Sequence, residues 1–71
     1  MPLSAEAKTL LERTHKQHPT DRNVLLGLIA FERDSGDVAA ALTHARELAA
    51  LEPQNPQIRT LLDDLRRRLG R

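Results

Sequence analysis

The sequence predicts an all-α fold in which antiparallel helical hairpins stack on one another. The first observation is that the chain nearly repeats itself with a period of 34 residues. A fixed period of roughly this length is typical of arrays of helical hairpins and not of a single-core enzyme fold. The matching pairs are Ala7 with Ala41, Pro19 with Pro53, Val24 with Ile58, Leu28 with Leu62, Phe31 with Leu65 and Gly36 with Gly70, and Asp21 recurs as Asn55.

The composition is the second observation, because alanine and leucine dominate and β-branched residues are few, which favours helices. The chain has no cysteine, which excludes disulfides and thiolate chemistry. Eleven Lys and Arg residues against 10 Asp and Glu give no overall charge that would attract nucleic acid or an anionic membrane. Phe31 is the only aromatic residue, which argues against base stacking. With no apolar run near ~20 residues and no secretory signal, we expect a soluble protein, cytoplasmic if the chain is complete.

Four helices are predicted from their capping residues and apolar spacing. Ser4 is expected to cap the first helix, at about residues 5–17, and Pro19 ends it. Asp21 caps the second, at about 22–34, with Gly36 in a left-handed conformation past its end. The expected apolar stripes are Leu3, Ala7, Leu11 and Thr14 with Leu10 on the flank, and then Val24, Leu25, Leu28, Ile29 and Phe31.

The third helix, at about residues 38–51, follows so closely that it must fold back on the second as a hairpin. Asp37 is its expected cap and Pro53 closes it. Asn55 and Pro56 are suited to the first positions of the fourth helix, which Gly70 is expected to stop. The corresponding stripes are Ala41, Leu42, Ala45, Leu48 and Ala49, and then Ile58, Leu61, Leu62, Leu65 and Leu69.

The segment 22–55 resembles a tetratricopeptide repeat (TPR), a helix–turn–helix unit that stacks into an α–α superhelix. The resemblance rests on apolar and small residues at the helix interfaces, on the turn and on the closing proline. These residues are Leu25, Leu28, Gly36, Asp37, Ala41, Ala45, Leu48 and Pro53. The sequence departs from the family pattern at Ile29, where a small residue is usual, at Glu32, where an aromatic is usual, and at Ala45, where a large residue is common.

This register predicts one TPR-like domain over residues 1–71, composed of a half repeat 1–19, a full repeat 22–55 and a half repeat 56–71. Ala41 is the small residue expected where the two helices of the full repeat cross, since interaxial distance depends on side-chain size there. About three repeats are normally needed for stability. We therefore expect either a piece of a larger protein or a unit that self-associates through its end helices.

The resemblance implies a protein-interaction module that binds a protein or peptide segment on a concave face lined by the first helices of the repeats. The positions implied to line that face are Asn23, Leu26, Ala30, Arg33, Asp34, Gln57, Thr60, Asp64, Arg67 and Arg68. A subset of the family grips chaperone C-termini with Lys and Asn. The corresponding positions here are Leu26, Gly27, Ala30, Gln57 and Leu61, so that activity is not expected.

No catalytic residue, cofactor or metal ligand is predicted. His15 and His18 have a spacing that metal ligands can use, but no third ligand lies near in sequence, and His near a helix C-terminus is favoured by the dipole. His44 is expected to be a partly exposed packing residue. Asp63 and Asp64 point about 100° apart on a helix and cannot form an acid–base pair across a cleft.

Two alternatives concern the fourth helix. The run Arg66-Arg67-Arg68, with Arg71, is expected to stabilise the helix end, although weak binding to an acidic partner would also use it. Ile58, Leu61, Leu65 and Leu69 nearly satisfy a heptad pattern, which makes this helix a candidate seam for a homodimer. The runner-up function is accordingly a structural or self-association segment of a larger protein, with Leu3, Ala7 and Leu11 docking on a neighbour.

Overall fold

The computed structural model of the chain describes residues 3–70, with the side chains of residues 6–70. It contains four α-helices, which are α1 (Leu3–Gln17), α2 (Arg22–Asp34), α3 (Val38–Leu51) and α4 (Pro56–Gly70). No strand occurs within residues 3–70. The all-α prediction with four helices is confirmed.

Three predicted N-caps form as expected, since each carboxylate or amide oxygen accepts from a backbone N–H of the helix that follows. Such bonds satisfy donors that the first turn of a helix leaves unpaired. The contacts are Asp21 Oδ1 with the N–H groups of Asn23 (2.9 Å) and Val24 (3.4 Å), Asp37 Oδ1 with that of Ala40 (3.2 Å), and Asn55 Oδ1 with that of Gln57 (2.9 Å).

The turn between α2 and α3 depends on Gly36, whose φ of 91° lies in the left-handed region that side chains disfavour. Its N–H donates to the Arg33 carbonyl at 3.2 Å, and the N–H of Asp37 donates to the Glu32 carbonyl at 2.8 Å. These bonds close the end of α2 and reverse the chain, which allows α3 to pack back on α2.

Two helix boundaries differ from the prediction. The first helix begins at Leu3, so that Ser4 lies inside its first turn and is not the cap; its side chain is outside the described part. Leu and Ala are strong helix formers, which favours the two additional helical residues at this end. The fourth helix includes Gly70, which has no positive φ and therefore does not form the expected left-handed stop.

Each helix packs chiefly on its neighbours in chain order, α1 on α2, α2 on α3 and α3 on α4. Side chains of α1 also contact α3, through His15 and Glu47. From these contacts we infer a zigzag in which α1 and α3 form one layer and α2 and α4 the other. The smallest dimension of the molecule, 14 Å, fits two helix layers, since helices about 8–10 Å apart with a Cα radius of about 2.3 Å span roughly that distance.

The core lies mainly between α2, α3 and α4, on the stripes that the sequence predicts. Leu25, Leu28, Ile29, Ala41, Leu42, Ala45, Leu48, Ile58 and Leu65 are buried. Leu69 is 52% exposed and does not belong to the stripe of α4, because none of the described helices covers it. Ala7, Leu11 and Thr14 of α1 are half-buried, whereas Leu10 is 61% exposed.

Small residues are buried where helices pack. Ala41 and Ala45 of α3 are both 0% exposed and belong to the core cluster that also contains Leu25 and Ile29 of α2. Gly27 lies where α1 meets α2, and a Cβ there would come within 3.3 Å of Leu11 Cδ2. Gly27 therefore allows α1 and α2 to pack closely, and helix spacing depends on side-chain size at such positions.

Replacing Ala41 with leucine is therefore expected to force α2 and α3 apart. Overpacking a filled core costs roughly 1–3 kcal/mol. Urea unfolding followed by circular dichroism measures the free energy of unfolding, and Ala50→Leu, on the exposed side of the same helix, is the matched control. Equal stability of the two variants would mean that Ala41 is not at the close crossing.

An ion pair joins the beginning of α2 to the end of α3. The Arg22 guanidinium donates from Nε to Glu52 Oε2 and from Nη2 to Glu52 Oε1, and Asn55 Nδ2 donates to Glu52 Oε1 at 2.9 Å. The hydrogen bond from Arg22, followed by that from Asn55, lowers the pKa of Glu52 from its usual value, and the same contact raises the already high pKa of Arg22. Of these two groups, only Glu52 therefore changes its charge within the pH range in which unfolding can be measured.

A carboxylate whose pKa is lower in the folded state stabilises the fold above its unfolded pKa of about 4.3 and loses that effect as the pH falls through the folded value. We therefore expect the free energy of unfolding to fall more steeply below about pH 5 in the wild type than in Glu52→Gln. The effect is small and salt-sensitive because the pair is solvent-accessible. Urea titrations at several pH values measure it, and parallel pH profiles would contradict it.

Candidate functional site

The residues expected on the concave face lie outside the buried stripes of α2 and α4. Among them, Asn23, Asp34, Gln57, Thr60, Arg67 and Arg68 are exposed, and Leu26, Ala30, Arg33 and Asp64 are half-buried. Leu26 packs its inner side against the core cluster. The residues on α2 and those on α4 thus form two separate helix faces. Each face belongs to the first helix of a predicted repeat.

The charged residues on these two faces pair within their own helices. Arg68 Nε donates to Asp64 Oδ2 at 3.0 Å, and Arg67 Nη2 lies 4.0 Å from Asp64 Oδ1. On α2, Arg33 Nε lies 3.7 Å from Asp34 Oδ1. None of the polar contacts described for these side chains joins α2 to α4, so both faces present their groups to solvent.

The basic run of α4 pairs with the two aspartates that precede it, and one positive charge remains in excess. Arg66 lies 3.7 Å from Asp63, and Asp64 pairs with both Arg67 and Arg68. Spacings of three and four residues place opposite charges side by side on a helix and stabilise it modestly. Asp63 and Asp64 thus serve different ion pairs and do not converge on one site.

A cluster of imidazoles and carboxylates lies between α1 and α3, and the sequence did not predict it. His15 Nε2 is 3.1 Å from Glu47 Oε1. The rings of His15 and His44 meet edge to face, with centroids 5.3 Å apart and an interplanar angle of 89°. His18, the partner that sequence spacing suggested for His15, is exposed beyond the end of α1 and takes no part.

Glu32 is the buried member of this polar group. Its side chain is 3% exposed, on the face of α2 that packs against α3, and its Oε1 lies 2.8 Å from His44 Nδ1. A buried carboxylate is unfavourable unless a partner compensates it, and the imidazole is that partner. The Glu32–His44 contact fixes the His44 ring and leaves its Nε2 as the nitrogen not engaged by Glu32.

A cleft between α1, α2 and α3 opens onto both imidazoles. It is lined by Thr9, Glu12, Arg13, His15, Lys16, Leu28 and His44. His15 Nδ1 is buried and has no hydrogen-bond partner among the described residues. His15, His44 and Glu47 offer potential metal-ligand atoms that all lie within 4.8 Å of one another.

Part of this cluster could have been found in the sequence. His44 and Glu47 are three residues apart on one helix and therefore share a face. Glu32 falls on the apolar stripe of α2, where a charge calls for a buried partner. No local signal, however, links His15 to His44, because their proximity depends on how α1 lies beside α3.

Comparisons with known proteins agree with the architecture. A family model described as tetratricopeptide repeat matches residues 4–65. Searches of curated proteins and of solved structures found no significant match. Within residues 3–70, none of the helices is both long and apolar enough to cross a bilayer. The family match covers most of the chain and both predicted half repeats in part, so the chain belongs to the tetratricopeptide repeat family, whose members typically serve as protein-interaction modules rather than as enzymes.

Proposed function

We propose that this chain binds a peptide or protein segment on a concave face formed by α2 and α4. In this proposal residues 1–19 are a half repeat, residues 22–55 a full repeat and residues 56–71 a second half repeat. The observation that supports the proposal is that α2 and α4 both pack on α3 and both keep a polar or small face out of the core. First helices of successive repeats would then line one continuous surface, as solenoid proteins use for binding.

The chemistry of this face suits a segment that carries both an apolar and an acidic side chain. Leu26 and Ala30 are half-buried and provide an apolar floor on α2. The side chain of Arg67 is 72% exposed, and its contact with Asp64 is long, at 4.0 Å. Exposed ion pairs of this kind contribute only about 0–1 kcal/mol, so Arg67 can exchange Asp64 for a carboxylate of the ligand at little cost.

Selection of peptides from a displayed random library on the immobilised chain would test this surface without knowledge of the natural partner. We expect the enriched peptides to bind Arg33→Ala and Arg67→Ala about tenfold more weakly, equivalent to about 1.4 kcal/mol each. Arg46→Ala is the matched control, since Arg46 is exposed on α3, in the other layer. Isothermal titration calorimetry measures the affinities.

The proposal fails if no peptide is enriched, or if the enriched peptides bind the three variants equally well. Circular dichroism of each variant shows that any loss of affinity does not come from unfolding. A peptide that is weakened by Arg46→Ala alone would place the binding surface on the layer of α1 and α3.

A structural role through self-association is the second candidate, and one observation favours it. Leu10 is 61% exposed on α1, beside a shallow cleft that it lines with Glu6, Thr9 and Arg13. The stripe expected to dock, represented by Ala7 and Leu11, is instead half-buried, and Leu11 faces α2 at Gly27. A second molecule on α1 would therefore contact Leu10 rather than that stripe.

Sedimentation equilibrium over a wide concentration range tests this second candidate. If α1 mediates self-association, the wild type forms dimers as concentration rises and Leu10→Gln stays monomeric. Leu51→Gln, at another exposed leucine, is the matched control and should leave the association unchanged. A wild type that is monomeric at all concentrations excludes the candidate.

A further inference from the structure

We propose that His15, His44 and Glu47 form a binding site for a divalent transition metal, with Zn²⁺ as the expected ion. One ligand comes from α1 and two from α3, and the three ligand atoms lie within 4.8 Å of one another. Two imidazoles and a carboxylate are a ligand set that Zn²⁺ uses with a fourth position left for water.

The distances are close to those that a metal requires. Ligand atoms about 2.0–2.1 Å from a tetrahedral zinc lie roughly 3.3 Å from one another. His15 Nε2 and Glu47 Oε1, at 3.1 Å, already have that separation. Closing the remaining gaps needs movement of the His15 and Glu47 side chains relative to the His44 ring, and Glu47, whose side chain is 43% exposed, has room to rotate.

Glu32 supplies the support that metal-binding histidines usually have. Ligating imidazoles commonly donate from their other ring nitrogen to a carboxylate, which fixes the ring and increases its basicity. The 2.8 Å contact between Glu32 Oε1 and His44 Nδ1 provides that arrangement, and we assign the ligand role to Nε2, the nitrogen that Glu32 does not engage. The near-complete burial of Glu32 stabilises this orientation of the His44 ring, because the carboxylate cannot form hydrogen bonds with solvent instead.

The state of His15 and the local charges also fit a cation. Its Nε2 lies 3.1 Å from Glu47 Oε1 and is the proposed ligand atom, and its Nδ1 is buried without a partner among the described residues. Arg13 and Lys16 line the adjacent cleft and oppose a cation, but the carboxylates of Glu12, Glu32 and Glu47 outnumber them. Imidazole ligands favour Zn²⁺, Ni²⁺ or Cu²⁺ over Mg²⁺ and Ca²⁺, which prefer oxygen.

A metal ion bound by His15 of α1 and by His44 and Glu47 of α3 would cross-link the two helices. In the described structure α1 packs chiefly on α2, and its contact with α3 depends on the His15 side chain. Metal coordination would convert that polar contact into a cross-link between the predicted first half repeat and the full repeat. Because the metal binds only the folded arrangement, it would also raise the thermal midpoint.

The test uses the tag-free 71-residue chain at about pH 7.5, where a free imidazole is mostly neutral. We expect one Zn²⁺ per chain with micromolar or tighter affinity by calorimetry, a higher thermal midpoint with Zn²⁺ but not with Mg²⁺, and a tetrahedral visible spectrum with Co²⁺. His15→Ala, His44→Ala and Glu47→Gln should weaken or abolish these effects. His18→Ala is the matched control and should keep them all.

Glu32→Gln tests whether Glu32 positions His44 for metal binding or only contributes to folding. Loss of a supporting carboxylate typically weakens metal binding by about 10- to 100-fold, and circular dichroism without metal shows whether the variant remains helical. If either histidine variant unfolds, Glu47→Gln decides, because the Glu47 side chain is 43% exposed, more than that of either histidine, and its replacement disturbs the core least. The proposal is overturned if the wild type binds no Zn²⁺ at micromolar concentrations, or if Glu47→Gln and His18→Ala bind it equally well.

Discussion

The packing of α2 on α3 is the constraint on which the other helix contacts depend. Ala41 and Ala45 of α3 are fully buried in the cluster that also contains Leu25 and Ile29 of α2, so small side chains occupy this part of the core. The left-handed conformation of Gly36 allows the chain to reverse direction within a short turn, so that α3 packs on α2. Once this hairpin is fixed, α4 packs on α3 through Ile58 and Leu65, and α1 packs on α2 where Gly27 leaves room.

The same hairpin explains why a polar group is buried in a small apolar core. Glu32 lies on the packed face of α2, and α3 brings His44 opposite it. Burying a carboxylate with a well-placed partner is weak evidence for stability, since an apolar pair of similar volume is often as good. The position departs from the aromatic residue usual in the family. A role in orienting His44 accounts for this departure better than a gain in stability.

The two proposed sites use different parts of the fold. The proposed peptide-binding surface lies on α2 and α4, and the proposed metal ligands come from α1 and α3. The two sites are linked mechanically, because α2 packs on both α1 and α3, and α4 packs on α3. A cross-link between α1 and α3 would therefore fix the relative position of successive repeats, and with it the shape of the surface that they present.

The sequence by itself determined the helices and most of the core, because caps, glycine turns and apolar spacing act over a few residues. Asp21, Asp37 and Asn55 begin helices as predicted, and Leu25 and Leu65 are buried as predicted. Only the tertiary structure decided that His15 meets His44 and that Leu10 is exposed. The distance between α1 and α3 depends on packing among three helices, and no local pattern records which faces of non-adjacent helices will meet.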